Sequence, residues 1–205
     1  MRSKVRRYRV LWRPSTRGQI KRNESSTSGS VSLVGASRGL GYGVAVEFLR
    51  RGWDVTGTVR GHGQTPLHEL VEEHAGRLVI ESLDIVDPLQ IQALRGRLAD
   101  RCFDVLFVSA GPAGQNQDQT IEAVSTDEFV RVMVTNALSP MRVVEALQDR
   151  VSARDLIGVM SCGQGSVGNN EKGGHEVYRG TKAALNMYMR SYAQRVAPET
   201  RVHFC

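Results

Sequence analysis

The sequence predicts an α/β fold, a doubly wound parallel sheet with helices on both faces. Three observations predict it. From Ser30 onward, short apolar runs alternate with longer segments of helical periodicity, the pattern of successive right-handed βαβ units. The apolar runs are continuous, as in Val105-Leu106-Phe107-Val108, which suits strands covered on both faces. The first run passes through a glycine turn, Gly35-Ala36-Ser37-Arg38-Gly39-Leu40-Gly41, into a helical segment.

That turn is the anchor of the reading. A side chain at its glycines would block the approach of backbone to a phosphate, and a tight turn favours positive φ. The helix behind it presents free N–H groups and the positive end of its dipole to a pyrophosphate. A P-loop is excluded, because Leu40 follows Gly39 and Tyr42 follows Gly41 where Lys-Ser/Thr is required. The G-x-G-x-x-G order of the common dinucleotide fingerprint is absent as well.

In chain order the pattern predicts strand 31–35, helix 40–51, strand 53–59 and a loop Gly61-His62-Gly63-Gln64. Helix 66–75, strand 77–82, helix 88–99 and strand 103–109 follow. After a loop from Gly111 to Thr120 come a long helix at 127–149, strand 154–161, a glycine-rich loop 163–174 and helix 176–196. A last strand begins at Arg201. Ligands of such sheets bind beyond the carboxyl ends of the strands, so the loops after each strand are where chemistry is sought.

With 205 residues and 40% apolar content the chain suffices for one ordinary domain. No apolar run reaches the ~18 residues of a membrane span. The net charge of +6 is concentrated at one end. Residues 1–30 carry nine Lys or Arg against one acid, Glu24, while the remainder carries 18 basic and 20 acidic residues. The folded part is therefore near neutral, and the charge is no argument for nucleic acid binding. Residues 1–30 lack the apolar stretch of a secretory signal. They are expected to be a basic disordered extension, with a transit peptide, a nucleic-acid arm and an extra strand as alternatives. Cys102, Cys162 and Cys205 show neither metal spacing nor a disulfide framework, which suits a reducing compartment. The expected location is the cytoplasm, or an organelle if the extension is a transit peptide. His62, His68 and His74 share no ligand face, so no metal is expected.

Several strand ends carry chemistry. Strand two ends at Arg60, where an NAD site usually places an acid for the ribose 2′-OH. With Arg38 in the glycine turn, two guanidiniums could clamp a 2′-phosphate, two solvated surface arginines being the alternative; the absence of an acid at this strand end favours NADP over NAD. Asp84 suits either an adenine amino group or a helix-entry turn. Ser109-Ala110-Gly111 offers small residues for a cofactor to lie against. Asn136 is an unusual mid-helix residue; a surface position is the plain alternative. Tyr178 and Lys182 stand at i, i+4 on one helical face. A nearby ammonium favours phenolate and lowers a tyrosine pKa, making the pair a plausible proton donor to a carbonyl oxygen; on the pair alone, an ordinary amphipathic helix face is the better reading.

Together, the glycine turn, Asp84, Ser109-Ala110-Gly111, Asn136 and Tyr178-x-x-x-Lys182 resemble the short-chain dehydrogenase/reductase family in order and spacing. The stretch 165–187 is similar to its C-factor-like branch of small carbonyl reductases. The resemblance covers residues 31–205 and implies a Rossmann domain there. It implies that Gly35, Ser37, Arg38, Gly39, Leu40, Gly41, Arg60, Asp84, Ile85, Ala110 and Gly111 hold NADP, with Tyr178 and Lys182 contacting its nicotinamide end. Tyr178 would exchange a proton with a carbonyl or alcohol substrate, Lys182 would bind the nicotinamide ribose, and Asn136 would hold a water behind Lys182. The family also implies a homodimer or homotetramer through the two long helices.

Three departures accompany the resemblance. The family's catalytic serine follows strand five; here the pair is Ser161-Cys162, and counting back from Gly165 puts Cys162 in its place. A thiol is a weaker donor than a hydroxyl, and Ser161 would replace it only if the strand shifted. Ser109 stands where the family has Asn, with an effect expected on stability. The sequence ends at Cys205 within the implied strand six, before the family's substrate lid. The rival expectation is a non-catalytic dinucleotide-binding or interaction protein.

Overall fold

The structure is a computed structural model that describes residues 28–111, 118–196 and 201–204. Most of the basic extension (1–27) and residues 112–117 of the loop after strand four lie outside these. Six parallel strands form one sheet: β1 (Ser30–Val34), β2 (Asp54–Val59), β3 (Leu78–Ser82), β4 (Phe103–Val108), β5 (Val151–Val159) and β6 (Arg201–Phe204). Their order is β3-β2-β1-β4-β5-β6. The first crossovers step from β1 to β2 to β3, and the chain then returns to the other side of β1. The order thus reverses between β1 and β4, which pair from Val31 opposite Val105 to Val34 opposite Val108. A crevice opens at such a reversal, beyond the carboxyl ends of the two strands.

The helices are α1 (Gly39–Arg50), α2 (Pro66–Glu69), α3 (Pro88–Arg97), α4 (Thr126–Met133), α5 (Ser139–Leu147) and α6 (Glu176–Val196). Both sheet faces are covered, as the continuous apolar strands require. One core packs α3, α5 and α6 against the sheet through Leu94, Val144, Leu147, Leu185 and Tyr192. The other packs α1 and α2 through Ala45, Leu49 and Leu67. The starts of α3 and α4 follow capping chemistry. The Asp87 carboxylate accepts from Leu89 N–H, 2.8 Å away, at the start of α3, and Ser125 accepts from Glu128 N–H at the start of α4.

Two elements differ from expectation. The periodicity predicts a second helix over 66–75, but α2 ends at Glu69 and residues 70–76 form successive turns. Leu67 is its one buried residue, and Val71, Glu72 and Glu73 are exposed. No apolar stripe therefore holds a longer helix to the sheet, and propensity alone sustains few turns. The long helix at 127–149 is interrupted by a π-helical turn, Val134–Leu138. Pro140 explains it: with no N–H and a ring that crowds the carbonyl four residues before, it cannot complete the α pattern at Asn136. Ser139 N–H instead bonds the Val134 carbonyl five residues back.

Candidate active site

The glycine turn sits at the carboxyl end of β1. Gly35 has φ +89°, and a Cβ there would lie 2.8 Å from the Ala110 nitrogen at the end of β4. A Cβ on Gly41 would collide with the Gly35 carbonyl oxygen, so the first turn of α1 can pack onto the loop only as glycine. Thr58, from β2, fixes the loop by accepting from Gly35 N–H (3.0 Å), and its carbonyl accepts from Ala36 N–H. Around Gly39 no atom lies within 4 Å of a would-be Cβ. The result is a rigid loop leading into a helix N-terminus with open space above it, which fits a pyrophosphate.

The expected cofactor residues surround this cradle in different ways. Arg38 and Arg60 are both exposed, and neither joins an ion pair among the described residues. Ser37 is half-buried, and Leu40 is 71% exposed at the loop's edge. The Asp84 carboxylate accepts from Val86 N–H at 3.1 Å, so it builds the helix-entry turn. Asp84 N–H in turn donates to Gln90. Ile85 is buried in the core, leaving its backbone rather than its side chain to face a ligand. Ala110 packs under Gly35. Gly111 marks the passage to the other half of the site, since a Cβ there would meet Asn136 Oδ1 at 2.9 Å and Lys182 Nζ at 3.6 Å.

That other half is built on α6. Tyr178 and Lys182, one turn apart, face the loop after β5. The Tyr178 hydroxyl lies 3.9 Å from Cys162 Sγ. Lys182 is 4% exposed and donates from Nζ to the Met160 carbonyl at 2.9 Å. Asn136 is fully buried in the π-helical turn, not on the surface. Its Nδ2 donates to Thr181 Oγ1 at 3.2 Å, and Thr181 donates to the Tyr178 carbonyl at 2.7 Å. The π-turn is what brings Asn136 to α6. Ser161 is turned away: its hydroxyl donates to Asn186 Oδ1 at 2.6 Å.

The electrostatics correct one expectation. The i, i+4 spacing predicts that Lys182 lowers the Tyr178 pKa. Instead, burial and the neighbouring Cys162 sulfur push the phenol up to about 12. The ammonium is directed at the Met160 carbonyl and lies 5.6 Å from the ring centroid. It is itself desolvated, which lowers its own pKa. In the protein chain alone Tyr178 therefore holds its proton firmly, the state from which a phenol donates.

A raised folded-state pKa contributes stability that is complete below the unfolded value near 10 and is lost as pH rises towards the folded value, about 12. Thermal melts between these limits should show wild type losing more stability than Tyr178→Phe. Equal losses would mean that Tyr178 is not held protonated by its site.

Sequence reasoning missed Thr58, Thr181 and Asn186. Asn186 carried a signal, because residues 178, 182 and 186 form one i, i+4, i+8 stripe. Thr58 and Thr181 carried none, since their partners are set by how β2 and α4–α6 come together. Among the described residues no cluster of His, Cys, Asp or Glu could hold a metal, and no helix is long and apolar enough to cross a membrane.

Comparison with known proteins decides the family. A family model described as enoyl-(acyl carrier protein) reductase matches residues 35–204. The chain belongs to the short-chain dehydrogenase/reductase family of NAD(P)-dependent oxidoreductases. A Burkholderia multivorans protein assigned to this family, crystallised with bound NADP, is 58% identical. Its match covers 86% of this chain and 76% of that one, with a TM-score of 0.83. A Pseudomonas aeruginosa PAO1 carbonyl reductase in complex with NADP is 30% identical, covers 86% of this chain and 80% of that one, and has a TM-score of 0.81. In sequence, a 1-hydroxy-2-glutathionyl-2-methyl-3-butene dehydrogenase from Rhodococcus sp. (strain AD45) is 28% identical over 160 residues, 77% of this chain and 67% of that protein. The chain spans 60% to 67% of the length of the first curated relatives it matches.

Proposed function

We propose that this short-chain dehydrogenase/reductase is an NADP(H)-dependent carbonyl reductase, or alcohol dehydrogenase in the reverse direction, with Tyr178 as its acid-base. The observation that carries the reading is the placement of the Tyr178 hydroxyl beside Cys162, with buried Lys182 and Asn136 behind it at Gly111. The glycine loop and helix α1 would hold the pyrophosphate, Arg38 and Arg60 the 2′-phosphate, and Lys182 the nicotinamide ribose.

When bound, the nicotinamide supplies or accepts the hydride. The protein supplies everything else. Tyr178 passes its proton to the substrate oxygen as negative charge develops there. Lys182, fixed by the Met160 carbonyl, keeps a positive charge 5.6 Å from the Tyr178 ring centroid as the proton leaves. Asn136, locked through Thr181, holds the water that returns a proton past Lys182. The Cys162 thiol polarises the same substrate oxygen in the position where a hydroxyl would do so more strongly. The partner is a small-molecule carbonyl or alcohol. A homodimer or homotetramer is supported by exposed apolar residues on the two long helices, Phe129 and Val130 on α4 and Met187 and Tyr188 on α6.

Fluorescence titration with NADPH beside NADH tests the cofactor half of the reading. Tighter binding of NADPH is expected, and equal or absent binding in the folded chain contradicts it. Cys162→Ser tests the substrate half. Exchanging a thiol for a hydroxyl on a developing oxyanion should raise kcat about 5-fold, corresponding to roughly 1 kcal/mol. An unchanged kcat in steady-state kinetics would remove Cys162 from the substrate's contacts.

A further inference from the structure

We propose that Asn186 is a positioning residue whose side-chain amide holds the loop after β5 in the register that sets Cys162, and not Ser161, opposite the Tyr178 hydroxyl. The inference rests on the reading of Tyr178 and Cys162 given above.

Adjacent residues of an extended chain point to opposite sides. Cys162 is extended, with φ −157° and ψ 169°, so if Cys162 faces Tyr178, Ser161 faces the other way. A shift by one residue would exchange them and put a hydroxyl where the thiol stands. Three contacts from one face of α6 oppose that shift. Lys182 Nζ grips the Met160 carbonyl at 2.9 Å. One turn later, Asn186 Oδ1 accepts the Ser161 hydroxyl at 2.6 Å, and Asn186 Nδ2 donates to the Gly165 carbonyl at 3.3 Å. The amide thus bridges both ends of the segment 161–165, taking a donor from one end and giving a donor to the other. Only a side chain that is both acceptor and donor does this. The 3-10 turn Gly163–Gly165 is pressed against the same point, since a Cβ on Gly165 would lie 2.7 Å from Asn186 Nδ2 and 2.9 Å from the Lys182 carbonyl carbon. Along this one stripe of α6, Tyr178 meets the substrate, while Lys182 and Asn186 hold the loop across from it.

The test uses the full chain as wild type, Asn186→Leu, Ser161→Ala and the double variant. Readouts are NADPH affinity, kcat and KM for a carbonyl substrate, and peptide-resolved alkylation of Cys162 by iodoacetamide, with exposed Cys102 as the reference in the same sample. Asn186→Leu should lower kcat about 10-fold, the scale of a small misplacement in the site, with NADPH affinity within about 2-fold. Alkylation of Cys162 should rise about 3-fold as the loop loosens, with Cys102 unchanged. The double variant should be no worse than Asn186→Leu, because the Ser161 contact is already lost in Asn186→Leu. Wild-type kcat and wild-type Cys162 alkylation in Asn186→Leu would overturn the proposal, as would an equal rise at Cys102. If Asn186→Leu does not fold, Asn186→Asp keeps the acceptor for Ser161 and loses the donor to Gly165. A partial form of the same changes is then expected, and wild-type behaviour overturns the proposal. If wild type turns over no carbonyl, the functional reading fails, and the alkylation pattern still decides the role of Asn186.

Discussion

Tyr178→Phe should lower carbonyl turnover about 10³-fold, the middle of the range for a positioned general acid, while NADPH binds within about 2-fold of wild type. The hydroxyl is the only atom removed. It accepts no structural hydrogen bond on which the fold depends; its described partner is the Cys162 thiol at 3.9 Å. The ring stays packed on α6, and the cradle at Gly35, Gly39 and Gly41 belongs to β1 and α1, on the other side of the crevice. Chemistry and cofactor binding are therefore separable in this chain. Burial holds the phenol protonated in the resting protein, the form a general acid must take, while its raised pKa makes it a weaker donor than a free phenol. Single-turnover kinetics at saturating NADPH checks this directly. Turnover retained within about 10-fold would transfer the acid role elsewhere.

The second large effect concerns the cofactor. Replacing both Arg38 and Arg60 with Ala should weaken NADPH binding about 100-fold, since each charge-assisted bond to a phosphate contributes about 1.5–3 kcal/mol when fully formed and exposure reduces that. NADH, without the 2′-phosphate, should bind as before. Both arginines are exposed, so their loss leaves no buried partner unpaired and should leave the melting temperature unchanged. Titration of both nucleotides against the double variant gives the ratio. A parallel loss of NADH affinity would mean that the arginines act on the pyrophosphate or on the loop itself.

Much of this site is legible in the residues alone because it rests on local rules. A helix face is fixed by spacing, so Tyr178 and Lys182 converge wherever α6 lies. A glycine turn between a strand and a helix has few uses, and the collision awaiting a Cβ at Gly41 shows why. What escapes depends on tertiary contacts. Asn136 reads equally as a surface residue or a site residue on an uninterrupted helix, and the π-helical turn at Pro140 is what turns it towards Thr181. Residues 70–76 have helical propensity but present no apolar stripe, so packing rather than propensity ends α2. The direction of the Tyr178 shift is not legible, because sequence shows that an ammonium is near, not which way it points. The Met160 carbonyl takes it. Asn186 is legible as the next residue of the Tyr178 stripe, but its purpose depends on a loop 21 to 25 residues away in the chain.

The most direct measurement of the central claim follows NADPH absorbance in the full chain against a panel of small aliphatic and aromatic carbonyls, with the alcohol product quantified in parallel. The account predicts that NADPH is consumed one for one with alcohol formed, that NADH serves poorly, and that Tyr178→Phe stops both. NADPH that binds tightly but is not consumed with any carbonyl would contradict it and leave a protein that holds the nucleotide without using it.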